Sequence, residues 1–128
     1  MSIEYVQTEK FYIEKYTIKT PMSTMHYHHA YELYYILEGE REYFIGDSFF
    51  SATQGDLVWV PADSLHRTEG KGATRLLMYF KKSFIQEYFS NGTISKVTYD
   101  TPFVFRADAH ARGTFENMFF DLLKEFNK

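Results

Sequence analysis

The sequence predicts a mainly β domain that closes on an amphipathic α-helix, and three observations predict it. Aromatic residues make up 20% of the chain, 13 Phe and 11 Tyr against only three Pro, a composition suited to pleated strands or a ring-lined cavity. Short runs of apolar residues, several of them alternating with polar ones, are separated by Gly-containing turns. A sustained helical apolar period appears only at the C-terminal end.

The elements follow in order. Residues Glu4 to Thr20 alternate aromatic and β-branched positions with charges, the pattern of an edge strand or ordered arm with one wet face. From His26 to Leu37 the run is almost continuously apolar and stops at Glu38-Gly39-Glu40, which reads as a buried strand pair. Residues 42–52 form two aromatic arms around Gly46-Asp47, a pair suited to a tight hairpin turn. Gly55-Asp56 then turns into a strand over Leu57–Val60, ended by Pro61 because proline cannot donate to a ladder. After a loop at Gly70-Lys71-Gly72, another strand is expected over Arg75–Lys81. Ser83 heads a stretch with helical spacing that ends near Gly92, which predicts a short capped helix. Residues 93–106 return to strand-like composition. Finally Phe115, Met118, Phe119, Leu122, Leu123 and Phe126 lie at helical spacing.

Composition narrows the functional classes. The 128 residues suit one domain with one core. Cysteine is absent, which removes disulfides and thiolate metal sites. The N-terminus lacks a signal-peptide core and no run is long enough to span a membrane, so a cytoplasmic protein is expected. With 14 basic residues against 17 acidic and no dense cationic stripe, these residues by themselves are not expected to bind DNA.

The chemistry concentrates between residues 26 and 66. On one strand His26 and His28 share a face, and Glu32 follows with the same parity. Two imidazoles and a carboxylate suit zinc, nickel, iron or manganese, and His66 from a neighbouring strand is the obvious fourth ligand. The alternative is a set of polar core residues bonded to one another and to water; both readings stay open. His29 has the opposite parity and His110 lies near a helix start, so neither is expected as a ligand. Tyr34, Tyr43 and Trp59 could form a ring platform for a bound effector, with ordinary core packing the plainer reading of each ring.

These residues resemble the cupin family. His26-x-His28-x3-Glu32-x6-Gly39 matches the first cupin motif from its His-x-His onward, and Gly55-x5-Pro61-x4-His66 approximates the second. Three positions depart: Asp63 where the family usually has Gly, Gly70 where it usually has Asn, and Thr20 where the first motif often begins with Gly. None is a metal ligand. The resemblance implies a double-stranded β-helix, a jelly-roll-like barrel, over residues 1–107, with an N-terminal strand or arm in residues 1–20.

The wording HYHHAYELYYILEGE, QGDLVWVPADSLHR and FENMFFDLLKEF is similar to the effector-binding domain of AraC-type transcription regulators. That likeness implies a sensor of a sugar-like or other small metabolite. It also implies that the helix over residues 108–128 dimerises or links to two helix-turn-helix units. Those units are absent from this chain, and the expectation is that the DNA-binding domain was removed or is encoded beyond Lys128. Under this reading the protein is not an enzyme. The alternative is a metal-dependent cupin enzyme of dioxygenase or isomerase type. For the terminal helix, packing on its own barrel and pairing with a partner helix both stay open.

Overall fold

The structure is a computed structural model that describes residues 3–5, 11–18, 22–27, 29–81, 83 and 100–127. Its strands are β1 (Ile3–Tyr5), β2 (Phe11–Ile18), β3 (Met22–Tyr27), β4 (Ala30–Ile45), β5 (Ser48–Thr53), β6 (Asp56–Val60), β7 (His66–Glu69), β8 (Ala73–Lys81) and β9 (Phe103–Arg106), followed by helix α1 (Ala109–Phe126). The short helix expected over Ser83–Gly92 lies, Ser83 apart, outside the described residues, as does Thr20.

The long strand β4 belongs to two sheets. Its first half pairs antiparallel with β6 and β8, and β2 and β9 extend that sheet beyond β8 and β6. Its second half pairs with β5 and β7, and β3 and β1 follow beyond β7. A strand that switches sheets at a bend is how two sheets share a corner and enclose one core.

The bend has a visible cause. The register with β8 shifts between Ile36 and Glu38, and Gly39 takes φ +87°, a conformation that strains any residue with a β-carbon. A Cβ at Gly39 would also stand 2.4 Å from the Gly72 carbonyl oxygen. Before the bulge the even residues Tyr34 and Ile36 face the interior; after it the odd residues Tyr43 and Ile45 do, and all four join Ala52, Val58, Val60 and Leu77 in one core. A bulge inserts one residue and so reverses the parity of everything that follows.

A second core lies on the outer face of the sheet. Ile13, Tyr35, Leu57, Leu76 and Met78 are covered there by Phe119 of α1, with Phe115, Phe120 and Leu123 beside it. Asp108 caps the helix by accepting a hydrogen bond from the Ala111 backbone N–H at 2.8 Å. The expected apolar stripe is thus divided. Phe115, Phe119 and Leu123 pack on the sheet, Met118 and Leu122 are exposed, and the partly exposed Phe126 sets its ring edge-on to Tyr12 of β2, 5.4 Å between centroids. No helix among the described residues is long and apolar enough to cross a membrane.

Candidate metal centre in the barrel interior

The placement of the site differs from a single-strand reading. β3 ends at Tyr27 and β4 begins at Ala30, with a bend at His29, so His26 and Glu32 sit on different strands and in different sheets. Shared parity along one strand is therefore not what brings them together. His26 stands directly opposite His66 across the β3–β7 ladder, their ring centroids 4.1 Å apart. Glu32 reaches them from the opposing sheet: its Oε1 lies 3.0 Å from His66 Nε2. One ligand atom from each of His26, Glu32 and His66 lies within 4.8 Å of the others, and all three residues are buried. His28 lies outside the described residues.

The donor set fits a divalent transition metal. His66 Nδ1 is 2.9 Å from the Ser64 carbonyl oxygen; a carbonyl only accepts, so Nδ1 carries the proton and Nε2 is the nitrogen turned to the cluster. Fixing the ring through its second nitrogen is the usual way a ligating imidazole is oriented. Burial by itself lowers the His66 pKa, but the charge and hydrogen bond of Glu32 and the Ser64 carbonyl outweigh it, and the net direction is upward. A cation is thus favoured beside Glu32, whether a proton on His66 or a metal.

The expected ring platform is divided. Tyr34 and Tyr43 share the interior, their ring centroids 5.3 Å apart, and the Tyr34 hydroxyl donates to Glu32 Oε2. Trp59 does not join them. It alternates with the buried Val58 and Val60 along β6 and so points to the outer face. There it stacks between Tyr31 at 5.4 Å and Phe103 at 6.2 Å, against the edge strand β9.

Sequence reasoning missed Arg75. It is fully buried on β8, with Nη1 donating to the Tyr43 hydroxyl at 2.7 Å and the guanidinium 4.3 Å from the Tyr34 ring centroid. An arginine is ordinarily a surface residue. The available signal was its strand, where Leu77 and Tyr79 on one face and Leu76, Met78 and Phe80 on the other leave no wet side.

The two departures in the second motif both fall at left-handed backbone. Asp63 has φ +65° and Gly70 φ +113°. Asp63 occupies a position where glycine is the easy choice, and its carboxylate is bonded to His29 Nδ1. That contact ties the loop leading into His66 to the bend between His26 and Glu32.

The protein-family description "Cupin domain" matches residues 12–80. The chain belongs to the cupin family. No curated protein matches it. Among solved structures, this cupin shares its fold with ToxT from Vibrio cholerae. The apo variant is 11% identical over 90% of this chain and 48% of that one, with a TM-score of 0.62. The wild-type form with an unsaturated fatty acid bound is 11% identical over 82% and 44%, with a TM-score of 0.59. A cupin protein from Bacteroides fragilis is 15% identical over 70% of this chain and 80% of that one (TM-score 0.54). Bacillus subtilis oxalate decarboxylase, a protein with Mn(II) centres, is 18% identical over 79% and 34% (TM-score 0.52). At these identities the likeness is one of fold, and a fold shared by unlike functions does not choose between them.

Proposed function

We propose that this cupin is the effector-sensing domain of an AraC-type transcription regulator. It takes a sugar-like or other small metabolite into the barrel interior, lined by Tyr34 and Tyr43, beside a metal held by His26, His28, Glu32 and His66. When bound, the metal would supply a Lewis acid able to polarise a ligand oxygen. A dimer forms through the outward residues Met118 and Leu122 of α1, and DNA contact belongs to helix-turn-helix units outside these residues.

The observation that carries this reading is the alternation of β4. Glu32 and Tyr34 face the site, while Tyr35 between Tyr34 and Ile36 faces outward and donates a hydrogen bond to Glu116 of α1 at 2.6 Å, its ring 5.5 Å from that of Phe119. A ligand that shifts β4 is felt at the helix without any intermediary. Such coupling needs a ligand with different affinities for two positions of the helix.

The test is a thermal-shift titration of the domain, with and without added metal, against sugars, carboxylic acids and fatty acids. A saturable rise in melting temperature is expected for one class. Absence of any shift across the panel with metal supplied overturns the sensor.

The second reading is a metal-dependent enzyme of dioxygenase or isomerase type, favoured by the buried donor set. Steady oxygen consumption or isomerisation by the metal-loaded protein would establish it, and an inert loaded protein would remove it.

A further inference from the structure

We propose that Tyr34 is a positioning residue for the metal, holding Glu32 so that a single carboxylate oxygen faces the His26–His66 side. The inference rests on the metal reading above and concerns groups outside the ligand set itself.

The two oxygens of Glu32 have different neighbours. Oε1 stands 3.0 Å from His66 Nε2, and Oε2 accepts the hydrogen bond of the Tyr34 hydroxyl. Glu32 and Tyr34 lie two apart on β4, so the same inward face carries both. Glu32 is fully buried and Tyr34 is 2% exposed. In such surroundings a carboxylate oxygen turned away from its donor loses a hydrogen bond that no bulk water replaces. Rotating Glu32 to offer both oxygens to a metal would break the bond from Tyr34. The phenol would therefore favour a bound metal meeting Glu32 through Oε1, the oxygen on the His66 side.

Tyr34 is itself held. The Arg75 guanidinium lies 4.3 Å from its ring centroid, the Tyr43 ring is 5.3 Å away, and Arg75 Nη1 donates to the Tyr43 hydroxyl at 2.7 Å. The cation–ring contact holds the Tyr34 ring directly, and the charge-assisted hydrogen bond holds the Tyr43 ring beside it. Arg75 comes from β8 and Tyr43 from beyond the β4 bulge, so both halves of the corner strand and its neighbour support one hydroxyl.

The test loads the protein with Co(II) and reads affinity by chelator competition together with the visible absorption of the bound ion, which reports coordination. Tyr34→Phe is expected to bind Co(II) about 10- to 100-fold more weakly, the range typical of lost outer-shell partners, and to change the absorption spectrum. Tyr35→Phe, the adjacent phenol on the outer face, is expected to leave both readings at wild-type values. Wild-type affinity and spectrum for Tyr34→Phe overturn the proposal, as does an equal change for Tyr35→Phe. If Tyr34→Phe does not fold, Tyr43→Phe takes its place, with a smaller loss in the same direction; wild-type behaviour of that variant is likewise decisive against the idea. A wild-type protein that takes up no Co(II) sinks the metal reading and this proposal together. Wild-type uptake with an unaltered Tyr34→Phe sinks the proposal alone.

Discussion

Asp63 concentrates a choice at one residue. Its φ of +65° costs a side chain with a β-carbon about 1–2 kcal/mol, and the bond to His29 offsets part of that. Asp63→Gly loses the bond and relieves the strain, so its stability should stay near wild type. Asp63→Ala loses the bond and keeps the strain, and should unfold at lower urea, roughly 1 kcal/mol below the Gly variant. An Ala variant as stable as the Gly variant would show that the backbone there carries no strain. His66 gives a pH dependence at the same scale. Its folded pKa lies above the ordinary value, so the folded state holds the proton more tightly than the unfolded chain. In the metal-free protein this contribution is full below about pH 6.5, the unfolded value, and is lost as pH rises through the folded value. Metal uptake runs the other way, strengthening with pH because the imidazole must give up its proton. Chemical denaturation across pH, with and without metal, checks both signs; parallel slopes would contradict the assignment.

Helix α1 shows how one element can carry two apolar faces. Phe119 is 6% exposed and Leu122 40%, although both fit the same helical stripe in the sequence. Phe119→Ala removes a buried ring against Tyr35 and should lower stability by about 3 kcal/mol. Leu122→Ala should change it by less than about 0.5 kcal/mol while weakening the proposed dimer. Urea unfolding and sedimentation of the two variants separate the faces. A destabilised Leu122→Ala monomer would mean that the outward stripe is part of the domain's own packing. Strand β4 divides its labour in a similar way, with Tyr34 toward the site and Tyr35 toward the helix.

At the scale of the whole molecule, a metal at the site would join the two sheets, because His26 and His66 come from one and Glu32 from the other. A ligand that binds only the folded state stabilises it by about 2.7 kcal/mol at a hundred times its Kd. Zinc, nickel, iron or manganese is therefore expected to raise the unfolding midpoint. A chelator should reverse the rise, and His66→Ala should abolish it. A midpoint indifferent to all four metals in wild-type protein would leave His26, Glu32 and His66 as a hydrogen-bonded polar core.

The sequence by itself determined the class and most of its parts. Turn residues at 46–47 and 55–56 and the stop at Pro61 each depend on local backbone rules, which a short segment obeys wherever it is placed, whereas the spacing of His26, Glu32 and His66 was legible only as a likeness to a family motif. Only the tertiary structure decided which residues meet. The bulge between Ile36 and Glu38 accompanies the strand's passage from one sheet to the other and moves the inward face from Tyr34 to Tyr43, while Trp59 on β6 is left outside. The same packing divides the terminal helix between a covered face and an open one, and it buries Arg75 behind the tyrosines. His26, Glu32 and His66 converge from strands of opposing sheets, and that convergence is a property of the two sheets packed together, since parity along any one strand does not produce it.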